Sequence, residues 1–376
     1  MLSFWESNSL INYQYIIVGA GITGLSTACA IKEKNPRATV LVIEKGILPT
    51  GASTKNAGFA CVGSYTEKWA DYERLGEEQF LKLIEDRWVG LYLLRKRLGD
   101  DHINYINHGG FELMINEGGA DADKVAKLND MLAPMFKKQV FYIVPQFIKQ
   151  FGFNSEIVSD MVFNPFEGQI DTGKMMNTLM NYAGILQIRV ITGTDVKHIE
   201  DTPTGAKVYC ENNGQQITFN AEQVAICTNA FTKHFLPNEE VNPGRGQVLC
   251  TSPINDLKFT GIFHFDEGYY YFRNYGKRVI FGGGRNIDFE TETTTAFELN
   301  DRIQNQLNYF LEEVILPGTP YTIEQQWSGI MAFNQQKTPL VKRVNPHVVV
   351  GARLNGMGIA LASKVADTLA DLMIKP

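Results

Sequence analysis

Near its start the chain runs Gln14-Tyr-Ile-Ile-Val-Gly19 and continues at once as Gly19-Ala-Gly21-Ile-Thr-Gly24. An apolar, β-branched run without alternation suits a parallel strand buried on both faces. Leu25 to Lys34 goes on with small and apolar residues and closes on Lys32, Glu33, Lys34, Asn35 and Pro36, a helix stop. Ala38 to Ile43 is a second strand, and Glu44 with Lys45 ends it at about 20 residues past the glycines, the spacing of a dinucleotide-binding βαβ unit. Each piece has a physical task. Gly19 permits the tight turn, Gly21 lets backbone N–H groups approach a pyrophosphate, and Gly24 lets helix and strand pack closely. Ile22 and Thr23 occupy the first helical turn, where the positive end of the helix dipole meets the phosphates. Glu44 would accept hydrogen bonds from ribose hydroxyls, and its charge disfavours a 2′-phosphate.

A chain of 376 residues exceeds the usual single core, so two cores built from interleaved segments are expected. Its 44% apolar and 20% charged content is that of an ordinary soluble globular protein. The net charge of −6 comes with no run of lysine or arginine, which argues against a nucleic-acid partner and for a small-molecule one. Cys29, Cys61, Cys210, Cys227 and Cys250 form no CxxC pair, and histidines such as His102, His108 and His264 form no HxxH or HExxH. No metal site is expected, and a reducing, cytoplasmic setting is. Tyr15 to Ile31 is apolar but broken by glycines and preceded by Glu6, so it reads as core and not as a signal or transmembrane segment.

Which dinucleotide binds is left open by this unit. No second GxGxxG follows a strand downstream, which argues against a flavoprotein with a separate nicotinamide domain. The stretch Gly51-Ala-Ser53-Thr54-Lys55-Asn56-Ala57-Gly58 reads either as a loop whose amides and hydroxyls hold ligand oxygens or as a solvated surface loop.

Further motifs are ordered along the whole chain: Val18-Gly-Ala-Gly-Ile-Thr-Gly-Leu25, Ala52-Ser-Thr-Lys-Asn-Ala-Gly58, Ala225-Ile-Cys-Thr-Asn229, Gly244-Arg-Gly-Gln247, Tyr270-Tyr-Phe-Arg273 with Phe281-Gly-Gly283, Trp327-Ser-Gly329 and Asn355-Gly-Met-Gly358. With them the sequence resembles the D-amino-acid oxidase superfamily, in its glycine oxidase, sarcosine oxidase and γ-glutamylputrescine oxidase branch, from Ser3-Phe4-Trp5 to the C-terminal helix. The resemblance implies FAD, with Val196, Thr228, Asn229, Gly329, Gly356, Met357, Gly358 and Ile359 joining the N-terminal residues and Ser53, Thr54, Asn56, Ala57 and Gly58 around it. It implies a mixed fold (α/β + α+β), with a discontinuous Rossmann-type FAD-binding domain over 1–66, 160–235 and 325–376. An interleaved antiparallel-sheet substrate domain covers 67–159 and 236–324. Periodicity predicts helices over Glu77 to Leu98 and Ala122 to Phe136 around a strand at Gly110 to Ile115, and a helix is expected over Ala296 to Val314. The resemblance places further helices at Thr172 to Ala183 and Gly358 to Ile374 and strands at Ile188 to Ile191, Val196 to Ile199, Val224 to Cys227 and Val348 to Val350. Alternation from Gln247 to Ile262 and Gly268 to Arg285 predicts antiparallel strands, with a hairpin turn at Asn274-Tyr-Gly276.

The chemistry implied by the resemblance is oxidation of a C–N bond in a small amine or amino acid by hydride transfer to flavin N5, followed by hydrolysis of the imine. Negative charge then gathers along the flavin N1–C2=O edge, and the free N–H groups at Gly356, Met357, Gly358 and Ile359 would face it; the bland reading is a helix start built for packing. Tyr269, Tyr271 and Arg273 share one face of a predicted strand and are the candidate catalytic residues, suited to an anionic amine. Equally, the tyrosines pack the sheet and Arg273 pairs with a surface acid. Arg245 is read as a brace.

Departures from the family pattern matter as well. Met331 stands where relatives keep a carboxylate-binding arginine, Ile280 where sarcosine oxidase has a lysine that assists oxygen reduction, and no cysteine follows Cys250 to tether a flavin. FAD is therefore expected to be non-covalent. Dioxygen is the expected acceptor. The alternatives are a dehydrogenase passing electrons to a quinone or carrier protein, a flavoprotein acting in tRNA modification, which the acidic charge disfavours, and a non-catalytic FAD-binding module.

Overall fold

Strand Asn12–Val18 lies between two parallel neighbours, Val40–Ile43 and Gln215–Ile226, in a computed structural model that describes residues 2–115 and 118–375. Ile16 and Ile17 point to opposite faces and both are 0% exposed, as a strand covered on both sides requires. The sheet runs in the order Leu340–Asn345, Val348–Ala352, Gln215–Ile226, Asn12–Val18, Val40–Ile43 and Arg189–Ile191. Gln215–Ile226 is long enough to serve twice. Its second half pairs with Asn12–Val18, and its first half pairs antiparallel with Gly205–Asn212, which in turn pairs with Asp195–Thr202.

One face of this sheet carries helices Ile22–Lys34, Gly358–Ile374, Thr172–Ile185 and Glu77–Leu98, with Ile17, Val42, Leu25, Leu361 and Leu369 in the core between. A Cβ on Gly90 would sit 2.0 Å from the Ala360 carbonyl oxygen, so Glu77–Leu98 crosses the last helix at a point only glycine allows. The other face buries Ile16, Val18, Leu41 and Ile43 against Val196, Val208 and Phe219.

The second sheet is ordered Ile323–Phe333, Asn242–Thr251, Arg278–Gly283, Tyr270–Tyr275, Ile262–Phe265, Gly110–Ile115, Val158–Asn164 and Tyr142–Ile143. Its pairs are antiparallel except Ile262–Phe265 with Gly110–Ile115. Phe263, Phe265, Phe272 and Phe281 fill its core with Leu307 and Leu311. A two-stranded link, Phe59–Ala60 with Gly168–Gln169, stands between the sheets.

The helices at Glu77–Leu98 and Ala122–Phe136 and the strand Gly110–Ile115 lie where the spacing predicts, and the helix Gly358–Ile374 lies where the resemblance places it. Elsewhere the expectation is corrected. The helix predicted from Ala296 starts at Asp301, because the Asn300 side chain accepts from the Arg302 and Ile303 N–H groups and caps it there; it ends in a π turn, Leu311–Ile315. The hairpin turns after Tyr275 and not across Asn274. The single strand expected at Val196 is one arm of a three-stranded meander whose polar faces hide the alternation. The limits expected at 160 and 325 fall inside Val158–Asn164 and Ile323–Phe333, both strands of the second sheet.

Glu112 is 2% exposed and accepts from Ser64 Oγ at 3.0 Å, from Thr66 N at 2.9 Å and from Thr66 Oγ1. Burial pushes its carboxyl up from 4.5 to about 7 despite these donors. Between those values the folded chain holds a proton that the unfolded chain has released, so the group's contribution falls as pH rises through that window. Glu112→Gln keeps the shape and cannot ionise. Relative to the parent it should gain on the order of 1 to 3 kcal/mol on going from about pH 5 to about pH 8. Thermal melts at the two pH values check this, and a difference independent of pH contradicts it.

Candidate active site

Asn12–Val18 and Val348–Ala352 both run parallel to Gln215–Ile226, so their carboxyl ends reach the same edge of the sheet. From that edge start two helices, Ile22–Lys34 at Gly21 and Gly358–Ile374 at Met357, and neither N-cap residue supplies a side-chain acceptor of its own. They pack side by side. Crevices at the carboxyl ends of parallel strands are where open α/β sheets bind ligands, and helix starts there offer free N–H groups.

The glycines of the first turn are needed for different reasons. Gly19 has φ +104° and a Cβ there would lie 2.7 Å from Cys227 O, while a Cβ on Gly24 would lie 1.9 Å from Gly19 O. At Gly21 the nearest contact would be Ser53 Oγ at 3.0 Å, the open side of the turn. Ser53 Oγ accepts from Ile22 N at 2.9 Å, and Glu44 accepts from Ala20 N at 2.8 Å and Gly46 N at 2.9 Å. Thr23 is buried with its carbonyl bonded to Thr27 Oγ1. Lys45 is exposed and pairs with Asp195 at 3.3 Å, beside the buried Val196. Thr228 and Asn229 follow Cys227, whose N–H donates to Val18 O at 2.9 Å, and Asn229 Oδ1 accepts from Arg353 N at 3.1 Å.

The polar stretch after Glu44 folds partly into a short helix, Ala52–Lys55. Thr54 Oγ1 donates to Pro49 O at 2.9 Å, and Asn56 Oδ1 accepts from Gly58 N at 2.9 Å and Thr172 Oγ1 at 2.8 Å. Ala57 is buried, and Gly58, at φ +78°, approaches Ile170 O so closely that a Cβ would be 2.4 Å away. Trp327 Nε1 donates to Lys55 O at 2.9 Å, and a Cβ on Gly329 would meet Lys55 Cβ at 3.0 Å. The second sheet thus clasps this loop. Before the last helix Gly356 has φ +78°, Gly358 opens the first turn, and Ile359 is buried.

Tyr271 pairs with Gly282 and Arg273 with Ile280, so all four positions share a face. Tyr271 meets the Phe59 ring edge-on at 5.6 Å, and burial pushes its phenol up to about 12. Tyr269 precedes the strand and packs on Phe289 at 6.0 Å. Arg273 braces the loop through one nitrogen, and its Nε is buried without a hydrogen-bond partner among the described residues. It is 3% exposed, and its Nη1 donates to Gly58 O at 3.2 Å and Ile170 O at 2.7 Å. Burial pulls its guanidinium down to about 10. Arg245 forms a two-pronged pair with the buried Glu292, at 3.0 and 2.7 Å. Arg285 and Phe333, which sequence reasoning passed over, border Gly244, the strand partner of Met331; only the Gly282-Gly-Gly-Arg285 run marks that arginine in the sequence.

Among the described residues no group of three or more His, Cys, Asp or Glu is placed to hold a metal ion, and no helix is long and apolar enough to cross a membrane.

A family model described as FAD dependent oxidoreductase (DAO) matches residues 14–372. No curated protein matches the chain in sequence. Among solved structures, L-proline dehydrogenase from P. horikoshii is similar with a TM-score of 0.77 and 16% identity, over 97% of this chain and 94% of that one. Glycine oxidase from Geobacillus kaustophilus gives 0.76 and 18% over 97% and 95%. L-amino acid deaminase from Proteus myxofaciens gives 0.75 and 14% over 96% and 90%. The residues present fit FAD: the open side of Gly21 admits a pyrophosphate, and the uncapped start at Met357 leaves donors for an electron-rich ring edge.

Two outcomes follow. Gly21→Val should yield protein without flavin, since its side chain would fill the open side of the turn; normal flavin absorbance would remove Gly21 from the cradle. Arg273→Met should destabilise the fold by roughly 1 to 3 kcal/mol, because it strands the Ile170 carbonyl. Unchanged denaturant midpoints would show that Arg273 does not brace the loop.

Proposed function

Because the chain belongs to the family of FAD dependent oxidoreductases, we propose that it oxidises the C–N bond of a small amine or amino acid to an imine, which water hydrolyses to a carbonyl compound and ammonia or an amine. That it is an FAD-dependent enzyme follows from the family. FAD, when bound, supplies the two-electron acceptor for this chemistry.

The observation that carries the reading is the juxtaposition of two helix starts at one sheet edge with the Tyr271 face of the second sheet. Gly19, Gly21 and Gly24 shape the phosphate cradle, Glu44 supplies a carboxylate at the ribose end, and the first turn at Gly358 offers donors to a developing negative charge. Tyr271 and Phe59 line their side of the site with aromatic surface and, with the phenol kept protonated, add no charge. A neutral amine could then be held by position and desolvation alone, without a side-chain nucleophile. The similar structures carry the names of enzymes of amino acids, which agrees with the substrate class.

In this reading dioxygen reoxidises the flavin. A specific observation favours the second reading, a dehydrogenase that hands electrons to a quinone or carrier protein. Ile280 pairs with Arg273 on the face turned to the cofactor loop and is itself apolar, and the cation beside it, the Arg273 guanidinium, is tied to the Gly58 and Ile170 carbonyls.

Anaerobic addition of amines, N-methyl amino acids and D-amino acids to the oxidised protein tests the proposal. At least one class should bleach the flavin absorbance, and bleaching by none would remove the amine reading. The reduced protein should reoxidise slowly in air, and Ile280→Lys should accelerate it by placing charge near the acceptor. Rapid reoxidation of the parent, with peroxide formed, would exclude the dehydrogenase.

A further inference from the structure

Arg285 follows strand Arg278–Gly283 through Gly284, which has φ +74° and turns the chain into the short 3-10 helix Arg285–Ile287. Its guanidinium is half-buried against two aromatic rings, with its carbon 4.0 Å from the Phe333 centroid and 4.8 Å from that of Phe289. Among the described residues it has no ion-pair partner within 4.0 Å. Glu292, the acid whose field reaches it, is committed elsewhere. It accepts from Arg245 at 3.0 and 2.7 Å, Gln247 at 3.0 Å and Asn300 at 2.9 Å. Asp288 likewise accepts from Asn300 at 2.9 Å and Thr291 at 3.3 Å. A half-buried cation without a counterion is unusual, since desolvation without pairing is costly. Burial accordingly pulls its proton affinity down.

The position is next to the site. A Cβ on Gly244 would sit 3.1 Å from Arg285 Nη1, and Gly244 pairs with Met331. Met331 in turn reaches toward the last helix, its Sδ 3.7 Å from a Cβ position on Gly356, and toward Gly246, whose Cβ position is 3.7 Å from Tyr271 Oη. Aromatic rings stacked on the faces of a guanidinium hold its plane and leave the edge N–H groups free for two parallel bonds to a carboxylate.

We propose that Arg285 reads the carboxylate of the substrate, making this an enzyme of amino acids and not of plain amines; Phe289 and Phe333 hold the fork in place. The proposal rests on the amine-oxidation reading for its reaction, but its test reads binding and needs no turnover. The flavin-loaded protein is titrated with benzoate and with its uncharged analogue benzamide, following the flavin absorbance. The parent should bind benzoate more tightly. Arg285→Gln should weaken benzoate by roughly 30-fold or more, with benzamide, flavin content and melting temperature unchanged. Arg285→Lys, which keeps the charge and loses the fork, should fall between them, and it carries the test if the glutamine variant fails to fold.

A parent that binds benzoate no better than benzamide overturns the proposal, and so does equal loss of both ligands in the variants. Failure of every amine to bleach the flavin, with the benzoate pattern intact, would sink the reaction and leave the carboxylate site standing.

Discussion

Helices Ile22–Lys34 and Gly358–Ile374 begin at the same sheet edge, and each leaves N–H groups that its own turns cannot satisfy. Free N–H groups at a helix start favour a ligand that supplies acceptors, and much of the molecule is arranged around these two starts. Parallel pairing through Gln215–Ile226 fixes the two starts side by side. Gly90, by admitting Ala360 O, lets Glu77–Leu98 close over the last helix, and Asn229, by accepting from Arg353 N, ties the end of Gln215–Ile226 to the approach of that helix.

The second sheet meets this cradle through few but specific polar contacts. Trp327 Nε1 holds Lys55 O, and Arg273 holds Gly58 O and Ile170 O, so two side chains of the roof fix the backbone of the loop beneath. A largely buried ionic layer, outside the second sheet, ties helix Glu77–Leu98 to the segment 62–71 and to Lys337. Arg87 donates to Val62 O at 2.8 Å and pairs with Glu67 at 3.2 Å, while Lys337 reaches Asp71 at 2.9 Å. Such pairs contribute little net stability but impose geometry, because separating them strands a charge. The roof itself is tied to the loop by Trp327 and Arg273.

Local signals carried most of the framework. Glu77–Leu98 stands between Gly76 and Gly99, and Ala122–Phe136 starts at the Asp121 cap, so their limits are written in adjacent residues. The βαβ unit is legible for the same reason, since Gly19 and Gly24 answer to atoms within or beside it. What strand parity cannot supply is what stands opposite a face. Arg273 and Tyr271 do share one, yet the carbonyls that occupy Arg273 lie 215 and 103 residues away in sequence. Arg285 escaped notice because its role depends on an absence, the commitment of Glu292 to Arg245, Gln247 and Asn300, and no local pattern announces that. The meander over 195–226 was only half visible, because strands such as Asp195–Thr202 carry few buried residues.

The cradle is built to hold FAD by non-covalent contacts alone. All five cysteines are buried, and none lies beyond Cys250, so nothing on the roof strand Ile323–Phe333 can form a thioether to the ring. The direct measurement is to purify the protein, precipitate it with acid and identify the chromophore by chromatography. Yellow protein that releases FAD into the supernatant, in a ratio approaching one per chain, is the predicted result. Colourless protein that takes up no added FAD, or flavin that stays with the precipitate, would contradict it.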